Sequence, residues 1–335
     1  MKQDAREYLS LGDAHYEKRE YSSAAGHYQK AIEIDETCFP AYKKLGIISH
    51  ETGDCDNALF YLERATEVKC SDGEVYAVMG DVYLSMENCE RAVENYCKAI
   101  ERGWETSEMY YNLGSIAGEA GDVKKSDEYF SRCIDLCDTA ARKIDRLNRI
   151  GNFYYNIAEY ERAEPYYRRI IDIDGSKDFA FCNLGNLENA MGKRKEAFEH
   201  LSRAIELNPS NINALNNLGN WHYQAGDYGQ AEKLYRRSLE VDGRYVLAYY
   251  NLGNAQAARG EKAKSRESYR KALELDPGYA PARSALRRSP HVYAARVAMP
   301  ALLGAMFGAS LWASVEIAFH LYQLGVALGV VLAAV

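Results

Sequence analysis

Side-chain amides recur at two fixed places in this 335-residue chain, each defined relative to a recurring glycine. One row directly follows the glycine and consists of Asn152, Asn186, Asn220 and Asn254. The other row stands two residues before the glycine and consists of Asn112, Asn183, Asn217 and Asn251. An amide offers both a donor and an acceptor. Regular rows of amides therefore have the chemistry to pair with successive N–H and C=O groups of an extended polypeptide.

Motifs that carry common enzyme chemistry are absent from the sequence. It contains no G-x-G-x-x-G, G-x-x-x-x-G-K-[ST], G-x-S-x-G or H-E-x-x-H. The eight cysteines form no C-x-x-C, and the seven histidines show no metal-ligand spacing. We therefore predict a protein that is not an enzyme and has no catalytic residues, metal or cofactor, with its cysteines reduced.

The glycine that sets the phase of the amides occurs eight times. Successive copies are 34 residues apart, except for one spacing of 37: Gly12, Gly46, Gly80, Gly114, Gly151, Gly185, Gly219 and Gly253. We call these the repeat glycines. Glycine within a helix costs about 0.5–1 kcal/mol relative to alanine. Eight glycines at one phase therefore predict a close approach of helix against helix.

Each repeat is predicted to form two short helices joined by a turn, as the stretch 211–243 illustrates. Leu215, Leu218 and Gly219 fall on one helical face of its first half, and Ala231 and Tyr235 on one face of its second. Gly226-Asp227 between the halves suits a helix end followed by a helix N-cap. Because one such pair cannot bury both apolar stripes, the copies must stack.

This pattern resembles the tetratricopeptide (TPR) repeat over about residues 5–280. The predicted repeats are 5–38, 39–72, 73–106, 107–140, 144–177, 178–211, 212–245 and 246–279, followed by a capping helix at 281–288, within an array that ends at 289. Three extra residues around 138–145 account for the irregular spacing and predict a longer helix or linker, interpreted as a seam between two sub-arrays.

The resemblance implies an all-α, right-handed superhelix whose first helices line a concave groove. Both amide rows then face the groove, and they resemble the asparagine ladder in the TPR superhelix of O-GlcNAc transferase, which holds peptide backbone. No glycosyltransferase-like domain follows the repeats in this sequence. The alternative interpretation is that the amides only solvate the concave face.

Charge is distributed unevenly along the chain, whose formal net charge is −7. Residues 1–140 contain 15 basic residues (Lys and Arg) and 28 acidic residues (Asp and Glu). Residues 141–335 contain 26 basic and 20 acidic residues. A nucleic-acid-binding surface along the whole array is therefore not expected.

The last part of the chain, 290–335, is predicted to anchor the protein in a membrane. Residues 297–335 contain one formal charge, Glu316, and exceed the ~20 residues that span a bilayer. The sequence leaves open a hairpin of two spans or one span preceded by an interfacial helix. It also leaves open a soluble apolar helix pair that is buried against the array or a partner. The spacings Gly304-x3-Gly308 and Gly325-x3-Gly329 permit close helix packing in lipid, within one chain or between two copies. Arg283, Arg287, Arg288 and Arg296 lie just upstream and predict a cytoplasmic array.

These features together predict a membrane-tethered TPR scaffold that binds protein partners or extended peptides through its groove on the cytoplasmic face. The alternative is a structural or regulatory subunit of a membrane protein complex that assembles through its C-terminal helices.

Overall fold

Helices account for all the regular secondary structure in the residues that the structure describes. The structure is a computed structural model and describes residues 3–287. Within these residues the chain forms seventeen α-helices and no strand. The chain divides into two compact units, Met1–Ala180 (unit 1) and Phe181–Val335 (unit 2).

The first sixteen helices form eight consecutive pairs. Unit 1 contains α1 Gln3–Glu17, α2 Tyr21–Ile34, α3 Phe39–Glu51, α4 Cys55–Val68, α5 Gly73–Ser85, α6 Cys89–Glu101, α7 Ser107–Glu119, α8 Val123–Asp135, α9 Ala140–Asn156 and α10 Tyr160–Ile173. Beginning at the boundary, the chain continues as α11 Asp178–Ala190, α12 Arg194–Leu207, α13 Ile212–Gln224, α14 Tyr228–Val241, α15 Val246–Ala258, α16 Lys262–Leu275 and α17 Ala280–Arg287. The pairs coincide with the eight predicted repeats.

The three extra residues of the irregular spacing lengthen a helix. Helix α9 has 17 residues, whereas α7 has 13. The chain divides into its two units one repeat later, at Ala180, so the longer repeat, where the seam is predicted, lies within unit 1. Helix α9 packs against both α7 and α8, so the stacking of helices continues through the longer repeat.

The two helices of each repeat are joined by a residue in the left-handed conformation. Five of the eight residues at this place are glycines with φ between 76° and 82°, and the other three have φ between 59° and 61°: Gly53, Gly121, Gly192, Gly226 and Gly260, then Arg19, Glu87 and Ala158. In repeat seven the next residue, Asp227, caps α14 by accepting a hydrogen bond from the backbone N–H of Gln230. The predicted turn and N-cap are therefore confirmed in this repeat.

Replacing Ala158 by glycine is expected to raise the free energy of unfolding of unit 1 by about 0.5–1 kcal/mol. A left-handed conformation costs an L-residue about 1–2 kcal/mol, and glycine removes this cost while gaining about 0.4–1 kcal/mol of chain entropy in the unfolded state. Urea titration of the full chain measures the change. Gly121→Ala, at the same place in the preceding repeat with open space around its Cβ position, should shift stability in the opposite direction; a loss of stability in both variants would contradict the explanation.

Each repeat glycine contacts one large side chain from the second helix of its own repeat. A Cβ built on Gly219 would lie 2.6 Å from Cε1 of Tyr235, and one on Gly46 would lie 2.5 Å from Cγ of Leu62. Real Cβ atoms do not come this close to such neighbours. The predicted close approach of the two helices is therefore confirmed, and it explains glycine at this place.

At the end of the described chain, a short helix occupies the place predicted for the capping helix. Helix α17 packs against α16, and its Ala282 is fully buried with Tyr269 and Ala272. Across residues 3–287, none of the helices combines the length and apolar character that crossing a bilayer requires. The predicted anchor 297–335, with Gly304, Gly308, Gly325 and Gly329, lies outside the described residues.

Candidate functional site

The predicted contact residues all lie on first helices of the repeats. Asn112 and Asn152 are on α7 and α9 of unit 1. The remaining six are in unit 2, where α11, α13 and α15 each carry one residue of both rows: Asn183, Asn186, Asn217, Asn220, Asn251 and Asn254. We call these six the asparagine face. All of them are partly exposed except Asn251, which is buried.

In three repeats, the asparagine that follows the repeat glycine accepts a hydrogen bond from a tyrosine of the second helix of the same repeat. The Tyr235 hydroxyl donates to Oδ1 of Asn220 at 2.7 Å, and the Tyr269 hydroxyl donates to Oδ1 of Asn254 at 2.8 Å. In unit 1 Tyr167 donates to Asn152 in the same way, at 2.8 Å. The donating ring is the one that covers the repeat glycine, so one side chain both fills that space and holds the amide.

Two repeats of unit 1 carry aspartate in place of this asparagine. Asp13 accepts from the Tyr28 hydroxyl and Asp81 from the Tyr96 hydroxyl, both at 2.7 Å. An ionised carboxylate has acceptors only, so the tyrosine must be the donor in these repeats. Because the asparagine repeats have the same geometry, the tyrosine hydroxyl is also the donor, and Oδ1 the acceptor, in the repeats that carry asparagine at this place.

The second row of amides links neighbouring first helices. In unit 2, Nδ2 of Asn217 on α13 lies 3.7 Å from the Cys182 sulfur on α11, and Nδ2 of Asn251 on α15 donates to Oδ1 of Asn216 on α13 at 3.0 Å. Asn251 is 9% exposed and Asn216 is 1% exposed. The Asn251 amide therefore joins repeats seven and eight within the array.

Asn112 makes a similar link within unit 1. Its Nδ2 donates to the Tyr96 hydroxyl at 3.0 Å and lies 3.4 Å from Oδ1 of Asp81, on the preceding first helix. This amide therefore supports the tyrosine–aspartate bond of the repeat before its own.

Sequence reasoning missed the tyrosines, although a signal for them exists. An acidic or amide residue stands 15 positions before each of the five donors Tyr28, Tyr96, Tyr167, Tyr235 and Tyr269. In repeat two the tyrosine is replaced by Leu62, and the residue 15 positions before it is Ile47. In repeat four the tyrosine is replaced by Phe130, and the residue 15 positions before it is Ser115. The Ser115 hydroxyl is buried without a hydrogen-bond partner. Repeat six departs from this pattern, because it combines Asn186 with Leu201.

Comparisons with known proteins agree with this geometry. Sequence models described as tetratricopeptide repeat match residues 73–102, 107–139, 144–177, 179–244 and 216–280, which together exceed half of the chain. The chain belongs to the tetratricopeptide repeat family. The resemblance seen in the sequence is therefore confirmed, and with it the all-α helical-repeat solenoid.

Individual relatives and solved structures resemble this chain to different extents. A UDP-N-acetylglucosamine–peptide N-acetylglucosaminyltransferase from Giardia intestinalis is 31% identical over 88 residues, which are 26% of this chain but 6% of that protein. The crystal structure of the C-terminal part of a TPR repeat-containing protein from Cytophaga hutchinsonii has a TM-score of 0.54 and 17% identity, covering 72% of this chain and 98% of that one. A crystal structure of MamA protein has a TM-score of 0.41 and 22% identity, covering 52% and 94%.

The group that accepts the tyrosine hydrogen bond is a titratable carboxyl in the repeats that carry aspartate and a neutral amide in those that carry asparagine. Burial raises the pKa of the Asp81 carboxyl, although its bond from Tyr96 and the nearby His50 act in the opposite direction. In unit 2, burial raises the pKa of Tyr235, which keeps its hydroxyl protonated and able to donate to Asn220. A neutral donor–acceptor pair therefore holds this amide.

Side chains that could hold a metal ion do not cluster in the described part of the chain. Residues 3–287 contain no cluster of three or more His, Cys, Asp or Glu side chains that could bind a metal ion. The eight cysteines are free thiols, and Cys38, Cys133 and Cys182 are buried. Glu188 is fully buried and bonded to Nδ1 of the partly exposed His200 at 2.6 Å, and both residues belong to repeat six.

Proposed function

We propose that this TPR protein is a scaffold that holds an extended segment of a partner protein against the asparagine face, on the cytoplasmic side of the membrane that anchors it. TPR arrays generally bind protein or peptide partners, and this is the coarse function that the family supports. The finer proposal rests on one observation: three neighbouring first helices of unit 2 present partly exposed amides at the same place, Asn186, Asn220 and Asn254.

The spacing of these amides suits an extended polypeptide. Packed helices lie about 8–10 Å apart, and a polyproline II segment advances about 9 Å in three residues, with every third carbonyl on the same side. One amide per repeat could therefore meet one carbonyl per turn of such a segment. Because this contact uses main chain, it holds a segment without requiring a particular side-chain sequence.

The triple variant Asn186→Ala, Asn220→Ala and Asn254→Ala is expected to weaken partner binding by at least about tenfold, equivalent to about 1.4 kcal/mol. Helical melting should stay near that of the wild type, because the hydrogen bonds that these side chains make within the array contribute only about 1 kcal/mol each. Binding is measured with 12-residue peptides selected on the immobilised full-length protein from a random library. Peptides that bind the triple variant as tightly as the wild type would contradict the proposed site.

The membrane tether is supported by the sequence of residues 297–335, with its single charge. Membrane fractionation of the full chain and of a variant ending at Pro290 tests it: the full chain should remain with the membranes after a carbonate wash, and the shortened chain should be released. Equal release of both chains would contradict the tether.

The same apolar segment supports the second candidate, a subunit that assembles with a membrane complex through its C-terminal helices. Under the scaffold proposal, the variant ending at Pro290 retains the partners of the full chain in a pull-down. Loss of those partners, with the array still folded, would favour the assembly role instead.

A further inference from the structure

We infer that the last two helices of unit 2, α16 and α17, lie against the anionic lipid headgroups of the membrane that anchors the protein. The contact surface is centred on a row of side chains on α16, Lys262, Arg266 and Arg270, which we call the basic stripe. This inference deepens the proposed function and rests on its membrane tether. It identifies a second partner of the array, a bilayer surface that contains anionic phospholipids, which attract Lys and Arg side chains.

Helix α16 is more positively charged than the second helix of any other repeat. It contains five basic and two acidic residues, a balance of +3. The second helices of the other seven repeats have balances between −2 and +1. Helix α17 adds Arg283 and Arg287 and contains no acidic residue. Positive charge is therefore concentrated in the two helices that directly precede the predicted anchor.

The basic stripe follows one side of α16. Lys262, Arg266 and Arg270 are four residues apart, so they are neighbours along the helix surface, and all three are exposed. At about 100° per residue, Leu273 projects from α16 in nearly the same direction as Lys262. Leu273 packs against the apolar cluster that contains Ala282 of α17. The basic stripe therefore lies on the side of α16 to which the chain continues as α17.

The acidic residues next to the basic stripe pair with other side chains. Glu261 pairs with Lys264 at 2.9 Å, and Glu267 lies 4.0 Å from Lys271. Within residues 3–287, none of the three side chains of the basic stripe forms an ion pair. Their charges are therefore available to an anionic surface, toward which long basic side chains can extend.

The short connection between α17 and the predicted anchor keeps the basic stripe near the bilayer. From Arg287 to residue 297 there are ten residues, which span at most about 35 Å when fully extended. Attraction between basic side chains and anionic lipids acts within about 8–10 Å at physiological salt. Because the anchor confines the last repeat to the region of the membrane surface, this short-range attraction can orient it. The position of the stripe therefore favours lipid over protein or nucleic acid as its partner.

The inference is tested with the full chain in nanodiscs, carrying the photoreactive substitution Ala263→p-benzoylphenylalanine. Ala263 is exposed and lies next to the basic stripe on α16. Nanodiscs of phosphatidylcholine alone are compared with nanodiscs that also contain about 30% of the anionic lipid phosphatidylserine, and lipid adducts are measured by intact-protein mass spectrometry. Phosphatidylserine should increase the adduct yield at least about threefold, and 1 M salt, with its Debye length of about 3 Å, should abolish the increase. Equal yields in the two lipid mixtures would overturn the inference.

Two charge variants of the photoreactive chain complete the test. The combination Lys262→Gln, Arg266→Gln and Arg270→Gln should abolish the increase caused by phosphatidylserine, with little change in melting temperature because these exposed side chains make no ion pair within the array. The matched control removes three exposed basic side chains from α12 and α14 of the same unit and should leave the increase unchanged: Lys195→Gln, Lys233→Gln and Arg237→Gln. Equal loss in both variants would show that net charge, and not the basic stripe, attracts the lipid, and would overturn the inference.

Failure of the membrane tether is distinguishable from failure of this inference. If the full chain does not co-purify with nanodiscs of either composition, the tether and the inference both fail. If it co-purifies but the adduct yield does not depend on phosphatidylserine or on the basic stripe, only the inference fails. The same photoreactive chain, activated in membranes isolated from the cells that produce it, should give mainly lipid adducts. Adducts that consist mainly of protein or nucleic acid would assign the stripe to that partner and overturn the inference.

Discussion

Replacing Gly219 by alanine is expected to lower the free energy of unfolding of unit 2 by about 2 kcal/mol. The new Cβ would lie 2.6 Å from Cε1 and 2.9 Å from Cδ1 of Tyr235. That ring is 1% exposed, and its hydroxyl is bonded to Asn220, so it has little room to move. Overpacking a core typically costs about 1–3 kcal/mol, and we expect the upper end here, offset by about 1 kcal/mol of helix propensity.

Hydrogen exchange of α13 and α14, together with thermal melting of the full chain, measures this loss. Gly229→Ala is the matched control, because Gly229 lies in α14 of the same repeat and its Cβ would meet only Asp227 Oδ1, at 3.8 Å. The control should be neutral or slightly stabilising. In addition, Gly219→Ala combined with Tyr235→Ala should cost less than the two single changes together, since removal of the ring removes the clash. Strict additivity would contradict the packing explanation.

Replacing Glu232 by glutamine is expected to destabilise unit 2 by about 2 kcal/mol at pH 7. Glu232 is 7% exposed, and its carboxylate accepts hydrogen bonds from Arg236, at 2.8 Å and 3.1 Å, and from Arg259. Nε2 of the buried Gln256 lies 3.4 Å from the same carboxylate. Hydrogen bonds to charged groups contribute about 1.5–3 kcal/mol. The Arg236 and Arg259 side chains are exposed, at 52% and 42%, which keeps the expected loss below that of a fully buried ion pair.

The effect of Glu232 should depend on pH in a defined direction. Burial alone would raise the pKa of its carboxyl, but the bonds from Arg236, Gln256 and Arg259 outweigh burial and lower it below the ordinary value of 4.5. A lowered pKa in the folded state stabilises the fold above the unfolded-state pKa, and this contribution is lost as pH falls through the folded-state pKa. The melting temperatures of wild type and Glu232→Gln should therefore differ at pH 7 and converge as the pH falls below 4.5 and through the folded-state pKa.

Glu240→Gln provides the control for this pH series. Glu240 is exposed on the same helix, so its replacement should change the melting temperature little at either pH. A difference between wild type and Glu232→Gln that persists unchanged at low pH would show that the ionised carboxylate is not the stabilising group.

The fold could be predicted from the periodicity of the sequence, because every repeat forms the same helix pair and turn from the same pattern of residues. The helix pairs, the left-handed turn at Gly226 and the close approach at Gly219 all follow from residues that recur within one repeat. The membrane segment was predicted by a different argument, from apolar composition alone, and stays a prediction because residues 297–335 lie outside the described chain.

The burial and the hydrogen-bond partners of individual amides could not be predicted, because the position of a residue along a helix does not show which side chains of other helices lie next to it. Asn220 and Asn251 were predicted as equivalent groove residues. In the structure Asn220 is partly exposed and held by Tyr235, whereas Asn251 is buried against Asn216. The difference arises from contacts with other helices, 15 and 35 residues away.

The sequence by itself determined the number, length and phase of the repeats, and with them the TPR family and the positions of the amides. Only the tertiary structure decided which atoms of Asn220 and Asn251 are engaged, that Asn251 lies within the array, and that the units divide at Ala180 rather than at the irregular spacing. The physical reason is that helix periodicity is local and is repeated along the chain. Hydrogen-bond direction and burial depend instead on which side chains of other helices come within contact distance.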